Sequence, residues 1–446
     1  MQLTDNDTIA AISTPPGSGG IAVLRVSGPD ALAAIHPLFS TPEKLAPRQA
    51  VFGHLTHPDL GEGIFDDCVV TFFKGPNSVT GEDLVEISIH GGAYLQHKLL
   101  DVLVLSPSVR LAGAGEFTLR SFLNGKIDLS RAEAVADLIH ARDAAAHKNA
   151  RQQLSGGLKA LVESFAERLR HILVIIEAEL DFSDQEINFT PTEKLLTPVL
   201  GVKAKTRDLI ETYFYGKRLE DGFRVPIIGS PNSGKSSLFN LLLGQDRAIV
   251  TNQAGTTRDT IEKGFIFADH TVVLVDTAGI REAGVQAEIS GVGRSKDEIS
   301  RADFIIQVSA PDTEPLSLEL PEDLETIDVY NKIDMDKTPP EGYDIYLSCN
   351  TRQGLDELKK MIYSHVVNIS NAGVDGVIIS SERHKDALRR FYTQLEACER
   401  AVLDALGPEY IASDIRLALD VLGEITGETT PDDILNQIFA GFCVGK

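Results

Sequence analysis

The sequence predicts a multidomain α/β and α protein, in which a doubly wound α/β domain with a phosphate-binding loop (P-loop) is inserted into a helical domain. Three observations predict this fold class. The chain has 446 residues, which is too long for one ordinary hydrophobic core. Beyond about residue 216, strand-like apolar runs alternate with helix-like segments. Helical periodicity appears both before and after that region.

The first 120 residues are predicted to form a separate, mixed α/β domain. Apolar, β-branched runs at Ile21–Val26, Cys68–Phe73 and Leu84–Ile89 are typical of strands, and turns containing Gly and Pro separate them. We therefore expect domains at residues 1–120, 121–216 (first helical part), 217–376 (nucleotide domain) and 377–446 (second helical part).

The two helical parts are predicted from apolar spacing and from helix-start signals. Ser130–Glu133 has the spacing of a capping box, and apolar residues recur every three or four positions over Leu154–Ile176. After residue 376 the same periodicity runs over Leu388–Leu406. A last helix is predicted to start at Thr430 as the cap, with Pro431 in its first turn.

The inserted domain is predicted from a series of short apolar runs with helical segments between them. The first run contains Pro226, which is unfavourable in a central strand because it removes one ladder hydrogen bond. We treat it as a local irregularity. The runs are Val225–Ile228, Val272–Val275, Phe304–Val308, Ile327–Tyr330 and Ile345–Leu347.

Composition and charge limit the possible functions. The hydrophobic content of 43% is that of a globular protein, and no apolar run reaches the roughly 18 residues that a membrane span needs. The acidic N-terminus does not resemble a signal peptide, and four scattered cysteines fit neither a disulfide framework nor a zinc site. We expect a cytoplasmic protein. A net charge of −23 argues against strong nonspecific binding of nucleic acid by the chain itself.

Three motifs in order indicate a guanine-nucleotide site. Gly229–Ser236 fits G-x-x-x-x-G-K-[ST], in which backbone N–H groups surround the β-phosphate, Lys235 reaches the β and γ oxygens, and Ser236 ligates Mg²⁺. Asp276–Gly279 follows an apolar strand and is the D-x-x-G motif near the γ-phosphate. Asn331–Asp334 ends in a carboxylate that accepts from guanine N1–H and the exocyclic amine, whereas adenine has no donor at N1. Together these motifs predict GTP.

The residue after D-x-x-G departs from small GTPases, in which a glutamine orients the attacking water. Here it is Ile280, so hydrolysis is either negligible or completed by another polar group and another positive charge. Glu282 and Glu288 both follow nearby, and the residues alone do not choose between them.

The missing charge has several candidates. Thr256 or Thr257 is expected to complete the Mg²⁺ shell. Arg258 and Arg281 fit surface charges better than an arginine finger, and a bound monovalent cation is the other option. Asn232 is either a turn residue or a side-chain carbonyl ligand for such a cation.

Beyond these motifs, the chain resembles the tRNA modification GTPase MnmE (TrmE) family over essentially its whole length. The blocks that carry this resemblance lie mostly outside the nucleotide domain. They are Asp7–Gly17, Gly81–Glu86 with His90–Gly92, Gly115–Phe117, Phe122–Asp128 and Phe442–Lys446.

The resemblance implies an N-terminal domain that binds 5-formyltetrahydrofolate and dimerises, so that the protein is a homodimer. It also implies a K⁺-stimulated GTP hydrolase that forms a heterotetramer with the FAD-dependent partner MnmG (GidA). Together with this partner, it would take part in adding an aminomethyl or carboxymethylaminomethyl group to C5 of the wobble uridine (position 34) of certain tRNAs. A GTP-regulated RNA or ribosome assembly factor without covalent chemistry is the alternative. It would carry a basic RNA-binding module, and no such module is evident after residue 376.

Site residues follow from the resemblance position by position. Folate binding is expected from Arg25, Glu86, Lys126 and Lys446; Mg²⁺ binding from Ser236 and Thr257; and K⁺ binding from Asn232, Thr251, Gln253 and Thr256. The resemblance selects Glu288 as the catalytic residue that positions water, with Lys235. The expected GTP contacts are Asn232, Ser233, Gly234, Lys235, Ser236, Ser237, Thr251, Thr256, Thr257, Asp276, Thr277, Ala278, Gly279, Asn331, Lys332, Asp334, Ser348 and Cys349.

Three positions depart from the family pattern or invite a second interpretation. Gln253 stands where an apolar residue is usual, which a backbone ligand tolerates. Cys349 replaces the alanine of a guanine-contacting S-A motif, and a backbone N–H contact tolerates that change as well. Cys443 superficially mimics a prenylation box, but Gly and Lys after it fit poorly, and a packing role is favoured over direct chemistry.

Overall fold

The computed structural model describes residues 7–181, 191–244, 248–249, 261–267, 269–276, 298–314, 320–321, 324–336, 338–370 and 376–445. The chain divides into two compact units. The first comprises Met1–Ala136, Leu154–Ala166 and Leu419–Lys446, and the second comprises Asp137–Gln153 and Glu167–Ala418. No helix in the described part of the chain combines the length and apolarity that crossing a membrane requires.

The first unit contains a six-stranded sheet in the order β3-β4-β5-β2-β1-β6. The three strands predicted from sequence are confirmed as β2, β4 and β5, whereas β1, β3 and β6 were not predicted. β1 is alanine-rich and buried without alternation, and β6 has three residues, so neither carries a clear period-2 signal. The strands are β1 Thr8–Ile12, β2 Ile21–Ser27, β3 Ala50–Leu55, β4 Asp66–Phe73, β5 Leu84–His90 and β6 Val109–Leu111.

One face of this sheet forms the main core of the first unit. Leu24, Val70 and Ile87 point inward on neighbouring strands, and helix α2 (Ala93–Leu103) covers them with residues such as Leu99. Helix α1 (Ala31–Ile35) packs near β5. Alternation of buried and exposed residues along β2 and β4 is what a sheet covered on one side requires.

Helices α3 (Glu116–Leu123), α4 (Leu129–His140) and α12 (Asp432–Ala440) form a second apolar cluster. Two predicted helix starts need correction. Ser130 lies inside α4, and the Asp128 carboxylate caps the helix instead by accepting from the Arg131 N–H at 3.1 Å. α12 begins at Asp432, and the Thr430 hydroxyl donates to the Glu424 carbonyl rather than capping this helix.

A buried ion-pair network supports the start of α3. The Glu116 side chain is 0% exposed and accepts from Arg110 Nη2 at 2.6 Å, from Arg120 Nη2 at 3.0 Å and from the Gly113 N–H at 2.8 Å. Burial alone raises the pKa of Glu116, but these hydrogen bonds and charges outweigh it and hold the pKa below its usual value. Asp7 and Glu82 also pair with Arg120, so its guanidinium is compensated from several sides.

The second unit contains the predicted doubly wound domain, with a seven-stranded sheet in the order β13-β12-β11-β7-β10-β9-β8. Strands β10, β7, β11, β12 and β13 run parallel, and β9 and β8 extend the sheet in antiparallel fashion. The five predicted runs are confirmed, whereas β8 and β9 were not predicted. The strands are β7 Phe223–Gly229, β8 Ala248–Ile249, β9 Ile261–Phe267, β10 His270–Asp276, β11 Ile305–Ser309, β12 Thr326–Tyr330 and β13 Ile345–Tyr346.

Pro226 does lie in a central strand. It faces Val275 of β10, while the registered pairs with β11 begin only at Ile227. Helices α8 (Lys235–Leu243) and α9 (Leu355–Ser370) contribute Leu238, Leu358 and neighbouring apolar residues to the core of this domain.

The described residues form five further helices, which are α5 Ala144–Leu154, α6 Gly157–Asp181, α7 Thr192–Asp221, α10 Glu382–Leu403 and α11 Pro408–Thr426. The predicted long helix does not include Leu154, because Leu154 is the last residue of α5 and α6 begins at Gly157 after a turn. The predicted apolar positions Leu158, Phe165, Leu169 and Ile172 are buried on α6. The prediction that helical periodicity continues to Leu406 is wrong, because α10 ends at Leu403 and Leu406 is exposed. α10 packs along α7.

Asp143 connects the start of α5 to the sheet. Its carboxylate accepts from the Ala146 N–H at 2.7 Å, which is a capping bond, and from the Thr271 N–H at 2.6 Å at the start of β10. The Ala145 N–H donates to the Asp269 carbonyl at 3.3 Å. One buried side chain therefore caps the start of a helix and also holds the start of a strand.

Candidate nucleotide-binding site

The loop between β7 and α8 has backbone positions that only glycine fits well. Gly229 has φ +151°, and a Cβ there would lie 2.1 Å from the Val308 carbonyl oxygen. Gly234 has φ +98° and caps α8, and a Cβ there would lie 2.1 Å from Asn331 Nδ2. These two close approaches explain why the motif requires glycine at both ends. The loop leads directly into the N-terminus of α8, where free N–H groups favour an anion.

The interior of the loop is polar and tightly held. The Lys235 side chain is 7% exposed, and its ammonium donates to the Ser230 carbonyl at 2.7 Å. Ser233 is fully buried, and its hydroxyl has no hydrogen-bond partner among the residues that the structure describes. Ser236 and Ser237 are exposed on the first turn of α8. A buried cation, an orphan hydroxyl and a helix N-terminus together suit a phosphate group.

Asn331 joins this loop to the next one. It follows β12, is 1% exposed, and donates from Nδ2 to the Ser233 carbonyl at 2.9 Å. Its Oδ1 accepts from the Cys349 N–H at 3.3 Å, in the segment after β13. Three segments that are far apart in sequence are thereby held at the carboxyl ends of neighbouring parallel strands, where doubly wound folds bind their ligands.

Asp334 is exposed but oriented. Its Oδ1 accepts from the Ser348 hydroxyl at 2.6 Å and its Oδ2 from the Asn350 amide at 3.4 Å. The Ser348 hydrogen bond holds the pKa of Asp334 below its usual value, and the Asn350 hydrogen bond acts in the same direction. A carboxylate has about four lone-pair positions, so both oxygens keep acceptor capacity for a base.

Two side chains that contact the Asn331–Asp334 segment are not identified by the sequence motifs. Asn350 could have been found, because it directly follows the Ser348-Cys349 pair that was singled out. Asp312 could not, because it lies 20 residues before its partner: Lys332 Nζ pairs with both of its oxygens, at 2.9 and 3.0 Å. This pairing holds the pKa of Asp312 below its usual value. Burial raises the pKa of the Cys349 thiol to about 11, so the thiol stays neutral near pH 7.

Several predicted residues lie outside the described part of the chain. The backbone of Asp276 is described as the last residue of β10, opposite Ile227 of β7, but its side chain is not. The others are Thr251, Gln253, Thr256, Thr257, Thr277, Ala278, Gly279, Glu288 and Lys446, together with Ile280 and Glu282. Of the predicted K⁺ ligands, Asn232 is described. It has φ +64°, is exposed, and its amide has no hydrogen-bond partner within the described segments.

The candidate folate residues lie in the first unit, and two of them meet. Arg25 of β2 stands directly opposite Glu86 of β5, and its Nε and Nη2 both approach Glu86 Oε1 at 2.8 Å. Both side chains keep about a quarter of their surface exposed, at 27% each. Lys126 is placed differently, since its ammonium donates to the Pro76 carbonyl at 2.8 Å.

The described end of the chain approaches the same sheet. Val444 bridges to Ala114, and the Gly115 N–H donates to the Cys443 carbonyl at 3.3 Å. A Cβ on Gly445 would lie 2.3 Å from the Ile12 carbonyl oxygen, next to Ala11, which is the β1 neighbour of Arg25. Cys443 itself is exposed.

This fold and these paired loops show that the second unit contains a P-loop domain of the guanine-nucleotide-binding class. Comparison with known proteins extends that statement to the whole chain. A model described as the MnmE helical domain matches residues 129–443, and one described as the GTP-binding protein TrmE N-terminus matches residues 8–126. The chain belongs to the MnmE (TrmE) family.

Full-length relatives agree with this assignment. Proteins named tRNA modification GTPase MnmE are 40% identical in Dichelobacter nodosus, 37% in Christiangramia forsetii and 37% in Clostridioides difficile. Each match covers 99% of this chain and 99% of the relative. Among solved structures, the G domain of the T. maritima FeoB iron transporter is 27% identical and covers 33% of this chain and 99% of its own, with a TM-score of 0.26.

Proposed function

We propose that this protein hydrolyses GTP and acts in tRNA modification, as the names of its full-length relatives state for them. One observation carries the nucleotide assignment: Asn331 holds the base-reading loop against the phosphate loop through a 2.9 Å hydrogen bond to Ser233. In this proposal, the loop that binds phosphate and the loop that reads the base are joined directly by this hydrogen bond.

The described residues account for guanine selection. Asp334, kept ionised by Ser348, accepts from guanine N1–H and from the exocyclic amine. Adenine would present an acceptor at N1 to this carboxylate, which is repulsive. Lys332, held by Asp312, packs alongside the base in this proposal. A hydrogen bond to a charged group contributes about 1.5–3 kcal/mol, so two such bonds discriminate strongly.

The phosphate loop binds the β and γ phosphates with its N–H groups and with the Lys235 ammonium. Mg²⁺, which neutralises developing charge when bound, would be held by Ser236 and Thr257, with Asp276 acting through water. The exposed position of Ser236 on the first turn of α8 fits that role. Ile280 stands where small GTPases have a glutamine that positions the attacking water, and its apolar side chain cannot take that role. Glu288 is proposed to position the water instead.

We further propose a K⁺ ion beside the phosphates, held by Asn232, Thr251, Gln253 and Thr256. The Asn232 amide has no hydrogen-bond partner among the described residues, which supports this, because an amide carbonyl is a suitable oxygen ligand. When bound, K⁺ supplies the positive charge that an arginine finger provides elsewhere.

The remaining details rest on the family. We propose a homodimer that works with an FAD-dependent MnmG partner on C5 of the wobble uridine, and domains bounded at about residues 120, 216 and 376. The N-terminal domain would bind 5-formyltetrahydrofolate or a related tetrahydrofolate. Glu86 suits the pterin N–H donors, whereas Arg25, Lys126 and Lys446 suit the carboxylates of the glutamate tail. In support, Gly445 lies against the Ile12 carbonyl of β1, and β1 pairs with the strand that carries Arg25.

Steady-state hydrolysis by the full-length protein tests this function. We expect GTP but not ATP to be hydrolysed, with a higher rate in KCl than in NaCl at equal ionic strength, so that screening is constant. Asn232→Ala should lose the KCl advantage, while Asn350→Ala should keep it and instead weaken GTP binding. Equal rates for GTP and ATP would contradict the base-reading assignment. Equal rates in the two salts would contradict the K⁺ site alone.

A further inference from the structure

A basic cavity lies in the second unit, away from the nucleotide site. Its volume is about 420 Å³. It opens where β7 and β10 begin, whereas the phosphate and base loops follow the ends of the strands. Five basic and two acidic side chains line it, together with Phe214, Gly222 and Val273. The charged residues are Arg142, Lys217, Arg218, Arg224, Arg301, Asp221 and Asp303.

Most of these charges are already paired. Arg218 pairs with Asp303, and Lys217 pairs with Asp221 at 3.3 Å and with Glu220 at 3.2 Å. Arg224 Nη2 pairs with Glu298 at 2.8 Å, and the Arg224 N–H donates to Asp303 at 2.7 Å. These pairs stiffen the walls of the cavity and leave little net charge of their own.

Arg142 and Arg301 differ from the other three cations. Neither forms an ion pair with any residue in the described ranges, although both line the cavity. Arg142 lies in the turn between α4 and α5, and Arg301 lies in the turn before β11, so two separate segments each contribute an arginine to the lining of one cavity. In a chain with net charge −23, unpaired arginines that converge in a cavity are unexpected unless an anion binds there.

The shape and lining of the cavity indicate the kind of anion. Arginine forks match phosphate oxygens in bidentate geometry. Phe214, on α7, is 63% exposed at the same cavity, and an exposed ring beside a phosphate site is what stacking of a nucleic-acid base needs. We propose that this cavity binds a backbone phosphate of RNA through Arg142 and Arg301, with Phe214 stacking on an adjacent base.

This inference rests on the proposed role in tRNA modification, which supplies the RNA. It adds a specific contact on the chain itself. The overall acidity of the protein is compatible with it, because one or two phosphates are held locally rather than by a broad basic surface.

The test is the binding of labelled tRNA to the full-length protein by fluorescence anisotropy, over a series of KCl concentrations. The main variant is Arg142→Gln/Arg301→Gln. Neither substitution removes the partner of a described carboxylate, whereas changing Arg218 or Arg224 would leave Asp303 or Glu298 uncompensated. We expect the Kd to rise about tenfold and the slope of log K against log salt to become shallower by about 1–2.

Matched variants separate charge, stacking and folding. Arg170→Gln, at an exposed arginine of α6 without a described ion pair, should leave the Kd within about twofold. Arg142→Lys/Arg301→Lys should keep most of the salt slope because the charge remains. Phe214→Ala should raise the Kd about fivefold or more without changing the slope. GTP hydrolysis without tRNA should be unchanged in all of them.

Wild-type affinity and slope in the double glutamine variant would overturn the proposal. Titration with inorganic phosphate tests whether the cavity binds free phosphate instead of an RNA backbone phosphate. If the double variant loses binding of free phosphate but binds tRNA normally, the RNA assignment is wrong. Failure of the proposed function looks different, because the wild-type protein itself would then neither hydrolyse GTP nor bind tRNA.

Discussion

Gly234→Ala is the most informative single change at the nucleotide site, because it tests whether the two loops are held together as described. At φ +98° an alanine costs about 1–2 kcal/mol in backbone strain. Its Cβ would also lie 2.1 Å from Asn331 Nδ2, so the amide must leave the Ser233 carbonyl. Loss of that buried hydrogen bond adds about 1–3 kcal/mol. We therefore expect a total destabilisation of about 2–5 kcal/mol.

Gly342→Ala is the matched control. Gly342 has nearly the same φ, +101°, but a Cβ there meets nothing within 4 Å. It should cost only the backbone strain of about 1–2 kcal/mol. Urea unfolding measures the stabilities, and binding of a fluorescent GDP analogue should weaken at least about tenfold for Gly234→Ala only, which corresponds to about 1.4 kcal/mol. Equal losses of stability and of affinity in the two variants would refute the reasoning.

Three further predictions concern single carboxylates. Asp334→Asn should lower GTP affinity about 100-fold or more. It should also shift the base preference towards xanthosine triphosphate, because the C2 carbonyl of xanthine accepts a hydrogen bond from the asparagine amide. Competition binding measures both effects, and the control variant Asp336→Asn should leave the base preference unchanged. Glu116→Gln should lower the free energy of unfolding by about 2–4 kcal/mol at pH 7 in urea titrations. The pKa of Glu116 in the folded state lies below the unfolded value near 4.5, so its stabilisation is present above pH 4.5 and is lost as the pH falls through the folded pKa. The free energies of unfolding of the variant and the wild type should therefore converge in acid. A difference that stays constant with pH would contradict this. Asp143→Ala should cost about 2–3 kcal/mol, since it removes a helix cap and a second buried hydrogen bond, and hydrogen exchange should increase at the Ala146 and Thr271 amides; unchanged protection there would refute the link.

Local patterns explain which elements were predictable. Runs such as Leu84–His90 are rich in β-branched residues and are bounded by turn residues, so the local sequence alone predicts the strand. β8 has two residues, and β1 has no alternation, so each depends on pairing with a partner strand. The N-cap of α4 is also not predictable from the local sequence alone. Asp128 and Ser130 are both favourable N-cap residues, and the folded backbone places Asp128 in that position.

The sequence by itself determined the class of nucleotide site, because each motif is a short segment whose residue types are dictated by phosphate, metal or guanine. Gly229, Lys235 and Asp334 carry that meaning wherever the fold places them. Only the tertiary structure decided how those segments support one another, as in the bond from Asn331 to Ser233 or the pairing of Lys332 with Asp312. It also brought Arg142 to the same cavity as Arg301. Such contacts join residues far apart in the chain, and their energies depend on distance and burial, which a linear order of residues does not contain.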